Sequence, residues 1–155
     1  MRSCGREEWN KFRRYHYLNT ELASASKCYG LYENNQNIIG FIAILHQPHG
    51  INKKIKRCSR LVILPDYQGI GLGKKFLEKV AEFYVKQKYD FSIKTSAKNL
   101  INSLRKSNKW IMTNWGVSHC SSNKSAIDYK RKSLRSNCKT ATFFFNIKMI
   151  NKNDV

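Results

Sequence analysis

The stretch Leu61-Val62-Ile63-Leu64-Pro65-Asp66-Tyr67-Gln68-Gly69-Ile70-Gly71-Leu72-Gly73-Lys74-Lys75-Phe76-Leu77 decides the fold. It opens with four consecutive apolar residues, two of them β-branched, as a buried strand does. Pro65 has no N–H to give to a ladder and closes that strand. Glycines stand at 69, 71 and 73 in the turn that follows. From there Leu72, Phe76, Val80 and Phe83 recur at helical spacing, with Leu77, Ala81 and Tyr84 beside them. A strand, a glycine turn and a helix are therefore expected over residues 60–88.

Such a turn has a physical use. The first turn of a helix leaves backbone N–H groups without partners, and the macrodipole adds partial positive charge there. Glycines remove the β-carbons that would hold a phosphate away from those amides. A diphosphate can rest on the amides of residues 69–74, helped by Lys74 and Lys75; an ordinary tight connection is the plainer alternative. Spacing narrows the ligand. A triphosphate loop needs Gly-x-x-x-x-Gly-Lys-Ser/Thr, and this segment lacks both the spacing and the hydroxyl. A dinucleotide fingerprint needs Gly-x-Gly-x-x-Gly, but the positions that would complete it are Lys74 and Phe76.

The chain has 155 residues, 41% of them hydrophobic, which suits one domain, 1–155, around a single core. No run is long enough to span a bilayer and the first residues have no apolar signal core, so a cytoplasmic protein with no membrane partner is expected. The five cysteines, at 4, 28, 58, 120 and 138, are odd in number and show no Cys-x-x-Cys spacing, so free thiols are expected. His119-Cys120 with Cys138, or His46 with His49, do not make a full ligand set, and no metal is expected. Twenty-nine Lys and Arg against ten Asp and Glu give a formal charge of +19. Self-repulsion of that size opposes folding, which points to a polyanionic partner, a nucleic acid or a protein bound to one. A compositional bias toward Lys and Asn is the alternative.

In chain order, residues 6–19 read as a helix bearing Trp9, Phe12 and His16, with Glu7 and Glu8 in its first turn. Strands at 28–32 and 38–46 around the turn 33–37 make an antiparallel hairpin. A basic lead-in, 53–57, runs into the central strand at 60–64. After the long helix come an alternating, half-buried strand at 91–96, a helix at 98–107, a strand starting at 110–112, a loop over 118–139 and a last strand at 140–147. The fold class is α/β (α+β), helices packed on a sheet.

The pattern Gln68-x-x-Gly71-x-Gly73, directly behind Val-Ile-Leu-Pro and ahead of an amphipathic helix, resembles the pyrophosphate-binding motif of the GNAT family of N-acetyltransferases. That resemblance implies a mixed, mostly antiparallel central sheet flanked by helices, and acetyl-CoA as cofactor. It implies cofactor contacts from the main chain of Val62, Ile63 and Leu64 and from Gln68, Gly69, Ile70, Gly71, Leu72, Gly73 and Lys74. It also implies acetyl transfer to an amine acceptor, which requires removal of a proton from the ammonium.

The sequence departs from the family where catalysis is concerned. Many members carry a Glu near the start of the central strand, where Ser59 stands here in Cys58-Ser59-Arg60. Many also carry a Tyr about seven residues after an Asn at the start of the next helix; counting from Asn99 reaches Lys106. The candidate catalytic residues are therefore Ser59 itself, His46 and Tyr17, the last beside His16. An imidazole ordinarily titrates near neutrality, which suits a base. A strand-end histidine in solvent and plain aromatic packing are the alternatives for His46 and Tyr17. Tyr15-His16-Tyr17-Leu18 together with the charge resembles phage and mobile-element relatives, among them the Mom-type modifiers of DNA bases. A module that binds coenzyme A and nucleic acid without catalysis is the reading from another class.

Overall fold

The computed structural model describes residues 1–16, 21–34, 36–117 and 139–146. In chain order these form β1 (Arg2–Ser3), α1 (Trp9–Phe12), β2 (Lys27–Glu33), β3 (Asn37–His46), β4 (Ile55–Ile63), α2 (Leu72–Lys86), β5 (Asp90–Thr95), α3 (Lys98–Arg105), β6 (Trp110–Val117) and β7 (Lys139–Phe145). All seven strands join one sheet in the order β1-β2-β3-β4-β5-β7-β6. Every neighbouring pair is antiparallel except β4 with β5, which α2 connects as a crossover. The mixed, mostly antiparallel sheet flanked by helices is as expected, and so is the hairpin of β2 and β3.

α2 lies on one face of the sheet because its apolar residues line one side. Phe76, Leu77, Val80, Ala81, Tyr84 and Val85 are buried against Ile42, Ile44, Cys58, Ile63, Phe91 and Ile93. Burial of each of the larger side chains contributes about 1.5–3 kcal/mol. Tyr84 carries a hydroxyl into this layer and shares a hydrogen bond of 2.9 Å with the Tyr29 hydroxyl. α3 adds Ile101 and Leu104 to the same face. On the opposite face Trp9 and Phe12 of α1 pack over Cys28, Phe41, Ala43 and Val62.

Three expectations need correction. The helix expected over 6–19 is one α-helical turn between two 3-10 turns, Arg6–Glu8 and Arg13–Tyr15, and His16 is already extended (φ −102°, ψ 130°). Its two buried anchors, Trp9 and Phe12, are three residues apart, a spacing that a tight spiral satisfies without more turns. The stretch 53–57 is not merely a lead-in. β4 starts at Ile55, where Ile55 pairs with Asp90 and Lys56 with His46. Ile55 and Cys58 are buried there, while the stems of Lys56 and Arg57 lie half-buried with their charges outward. The strand at 90–95 is buried on both faces around Phe91, Ser92 and Ile93, since it lies inside the sheet rather than at its edge. The strand starting at Trp110 continues to Val117. The loop read at 118–139 falls outside the described residues up to 138. No described helix is long and apolar enough to cross a membrane.

Cys58 faces the α2 layer, and burial pushes its thiol up to about 12 from the 9.0 of an ordinary thiol. The folded state therefore keeps the thiol neutral where the unfolded chain ionises it. The stability this group contributes is whole below pH 9 and lost as pH rises toward 12, by at most about 1.4 kcal/mol per unit. Urea midpoints of Cys58→Ala should therefore fall less steeply than wild type between pH 9 and 11. Parallel pH slopes for the two proteins would show that Cys58 does not carry this effect.

Candidate active site

The parallel ladder between β4 and β5 runs from Ile55↔Asp90 to Cys58↔Ile93 and stops, although both strands continue. Beyond that point β4 stays with β3 as far as Gly40↔Ile63, and β5 stays with β7 as far as Thr95↔Ala141. The two strands part, and a cleft opens between them. Cys58, Ser59, Arg60 and Leu61 form one wall and Ile93, Lys94 and Thr95 the other. Ala97, the N-cap of α3, and Leu100 within it come in from one side, and Tyr15 and His16 from the end of the first helical segment.

Ser59 is the reason β4 bends at the mouth of the cleft. Ala43 pairs with Arg60 and Ile44 with Cys58, so Ser59 is one residue too many for its partner strand, a β-bulge. Its hydroxyl donates to the Ala43 carbonyl at 3.0 Å. With that proton committed, the oxygen is left to accept a hydrogen bond rather than to take up a proton. The Arg60 guanidinium donates to the Ser59 carbonyl at 2.8 Å and lies 5.9 Å from the centre of the Trp9 ring. His16 packs edge-on against Trp9, with centroids 5.6 Å apart. Burial raises the Cys58 thiol, whose S–H donates to the Arg60 carbonyl, so it is a neutral part of the wall and no nucleophile.

At the C-terminal end of β4 the chain turns through Pro65–Tyr67 into Gln68–Gly71. The Gln68 side-chain amide donates to the Ile63 carbonyl at 2.7 Å, and the Tyr67 hydroxyl to Glu33 at 2.7 Å; together they tie the turn back to the sheet. The Leu64 N–H donates to Ile39 and its carbonyl accepts from Tyr67, so both main-chain groups of Leu64 are used inside the protein. Val62 and Ile63 are buried on opposite faces, one toward α1 and one toward α2.

Gly69 and Gly71 both have positive φ, +84° and +82°, which side-chain-bearing residues rarely adopt. A β-carbon at either would meet no atom within 4 Å, so the space in front of them is open. Gly71 is the N-cap of α2 and provides no side-chain cap, and the first turn holds no acidic residue. The N–H groups of Leu72, Gly73 and Lys74 thus begin a fifteen-residue helix with neither a cap nor a carboxylate competing for them. The Lys74 ammonium reaches 3.9 Å from Glu78, behind the turn. This arrangement fits the two phosphates of a coenzyme: open amides, positive dipole, no competing anion. Leu72 and Lys74 are half-buried, and Gln68, Gly69 and Ile70 exposed.

The remaining candidates lie elsewhere. His46 is exposed and pairs with Lys56, near the far end of β4 from the glycine turn, roughly 20 Å away at the rise of a strand. The structure does not bring it to the cleft. His49 accepts the N–H groups of Ile51 and Asn52 on its Nδ1 and shapes a turn. Tyr17 lies outside the described residues, as do His119, Cys120 and Cys138. α3 carries no tyrosine, and Lys106 stands exposed at its C-terminal end. Tyr15, Arg60, Lys94 and Thr95 also line the cleft without a local signal in the sequence: Lys94 falls on the polar side of the alternation that puts Phe91, Ile93 and Thr95 inward.

A family profile described as Acetyltransferase (GNAT) family matches residues 1–102. No match to the chain was found among curated protein sequences. Several solved structures share the architecture. The spermidine/spermine N-acetyltransferase of Vibrio cholerae superposes with a TM-score of 0.67 at 11% identity, over 97% of this chain and 94% of that one. An acetyltransferase of Bacillus subtilis in complex with CoA gives 0.64 at 10% identity, over 90% and 91%. A GNAT family acetyltransferase of Elizabethkingia anophelis with acetyl-CoA bound gives 0.55 at 13% identity, over 92% and 83%. At these identities the superpositions speak for the fold alone. The profile match covers well over half of the sequence and takes in β4, the glycine turn and α2, so the chain belongs to the GNAT family of acetyltransferases.

Proposed function

We propose that the chain is an acetyl-coenzyme-A-dependent N-acetyltransferase whose acceptor amine sits on a nucleic acid or on a protein associated with one. The observation that carries the donor half is the uncapped, acid-free start of α2 behind two glycines of positive φ, set at the end of a strand that has left its neighbour. Two of the solved relatives above hold CoA or acetyl-CoA. Acetyl-CoA, when bound, supplies an acyl group activated as a thioester. The amides of residues 69–74 hold its phosphates, and the parted edge of β4 beyond Cys58 offers main-chain groups to the rest of it.

The acceptor half rests on the walls of the cleft. Arg60 and Lys94 line it, and no carboxylate does among the described residues. A polyamine has a second ammonium that needs an anion beside it. The acceptor named for the Vibrio cholerae relative is therefore a poor fit, and an amine carried on an anionic molecule a better one. His16 is the imidazole that lines the cleft among the described residues, and we assign it the role of proton acceptor. Ser59, with a lone pair left over, orients the amine.

A second reading has its own observation. With Ser59 and Lys106 where many relatives have Glu and Tyr, the chain fits a module that binds coenzyme A and nucleic acid without transfer. The base-modifying alternative draws on the charge and on the sequence pattern Tyr15-His16-Tyr17-Leu18.

Gly71→Glu places a carboxylate where the phosphates would rest and forces a side chain into positive φ. Calorimetry with CoA should show binding lost by a factor of a hundred or so, about 3 kcal/mol; unchanged affinity would refute the phosphate site. Incubated with labelled acetyl-CoA and separately with spermidine, tRNA, DNA and nucleic-acid-binding proteins, the chain should label one of the nucleic-acid-associated acceptors. Preferential labelling of spermidine would sink the acceptor reading, and CoA binding with no labelling at all would favour the module. With the labelled acceptor in hand, His16→Gln should lower the transfer rate by about 10²–10⁴ while leaving the CoA affinity as it was. A rate within threefold of wild type would remove His16 from the reaction.

A further inference from the structure

The end of the sheet away from the glycine turn holds a second hollow, about 450 Å³, between the loop that precedes β4 and the connection from α2 to β5. His46, Lys53, Lys54, Lys56, Lys88 and Tyr89 line it. No Asp or Glu does, and none of its four lysines makes an ion pair among the described residues. The carboxylate next in the chain, Asp90, is held by the side-chain amide of Asn52. Four like charges facing one hollow repel one another, and nothing described in the fold neutralises them.

The backbone around the hollow is fixed rather than slack. His49 accepts the N–H groups of Ile51 and Asn52 at 3.3 and 3.1 Å, Asn52 accepts that of Lys54 at 2.8 Å, and Asp90 donates its N–H to the Lys54 carbonyl at 2.9 Å. The Lys56 ammonium stands 4.7 Å from the centre of the Tyr89 ring. Lys88 adds an independent observation. It sits just past the end of α2 with φ +63°, the left-handed conformation that glycine normally fills at this point. A lysine there is a strained choice. Cations near a helix C-terminus do favour the dipole, but Lys86 already stands in the last turn of α2, and Lys53 and Lys54 come from another segment.

We propose that this hollow binds the phosphodiester backbone of a nucleic acid. Separate, flexible ammonium groups around a shallow basin suit a run of phosphates rather than one buried anion. A membrane surface is the weaker candidate, because Ile51 is the lone exposed large hydrophobic residue on this loop, where a helix or loop lying in lipid presents several. The proposal gives a place to the nucleic-acid association of the acceptor suggested above. Its test uses no acetyl donor, so its failure would leave the transfer reaction standing.

The experiment is fluorescence anisotropy of a labelled single-stranded oligonucleotide of about twenty bases, titrated with the full chain at 50–200 mM salt. Four phosphate contacts predict a log–log salt slope near −2.8, about a fiftyfold loss of affinity over that range. The pair Lys53→Gln with Lys88→Gln should flatten the slope by about 1.4. The pair Lys98→Gln with Lys106→Gln, an equal change of charge on α3, should leave it alone. Lys88→Gly alone should weaken binding without lowering the thermal midpoint, since glycine relieves the left-handed position; this separates loss of the site from loss of the fold. No binding at 50 mM salt, equal flattening by the α3 pair, or binding to phosphatidylserine vesicles but not to the oligonucleotide would each overturn the proposal.

Discussion

The parting of β4 from β5 is the constraint on which the rest depends. Two parallel neighbours that stayed together would bury each other's main-chain groups along their whole length and leave no room between them. Here the ladder ends at Cys58↔Ile93 because each strand is held more extensively on its other side: β4 by β3, with a bulge at Ser59, and β5 by β7. The bulge bends one strand and the antiparallel partner draws the other away. α2 then bridges the two on one face and α1 covers β3 and β4 on the other. The cleft is thus a product of sheet topology, and the residues that line it are those that happen to follow the last shared pair.

The same strand supplies the second requirement. A helix that begins directly after a sheet strand would ordinarily be capped by a Ser, Thr, Asp or Asn. Gly71 forgoes that cap, and Gly69 and Gly71 adopt backbone conformations with no side chain to stabilise them. These are losses for the isolated fold, and the deep burial of Phe76, Leu77, Val80 and Ala81 further along α2 offsets them. A helix anchored that firmly can leave its first turn open for a ligand, with Gln68 and Tyr67 keeping the preceding turn in place.

How much of this was legible in the sequence follows from the range of each interaction. The strand, the glycine turn and α2 are local: a run of apolar residues, a proline and a 3.6-residue period. The register that makes Ser59 a bulge depends on Ala43 and Ile44, some fifteen residues upstream, and no local pattern announces it. The distance of His46 from the cleft is of the same kind. His46 closes a strand adjacent to β4, but β3 runs antiparallel, so its C-terminal end meets the start of β4 rather than its end. The first helical segment came out too long because aromatic residues at 9, 12 and 16 satisfy a helical period, although His16 reaches Trp9 from an extended backbone. Tyr15 and His16 then enter the cleft because the helix stops, which a longer helix would have prevented.

The two ends of the parallel pair attract the same chemical group by different physics. At the C-terminal end of β4 the attraction comes from amide dipoles fixed by the fold, close to the ligand and little affected by bulk ions. At the N-terminal end it comes from ammonium groups on flexible stems, open to solvent and screened within about 8 Å at physiological ionic strength. The first kind discriminates by shape and suits one coenzyme in one pose. The second discriminates by charge density and tolerates many poses along a polymer. In a chain carrying +19, free lysines alone would make every face attractive to polyanions. What distinguishes the far hollow from that general background is a rigid rim and a lysine held where glycine would be easier, which is structural commitment that net charge does not require.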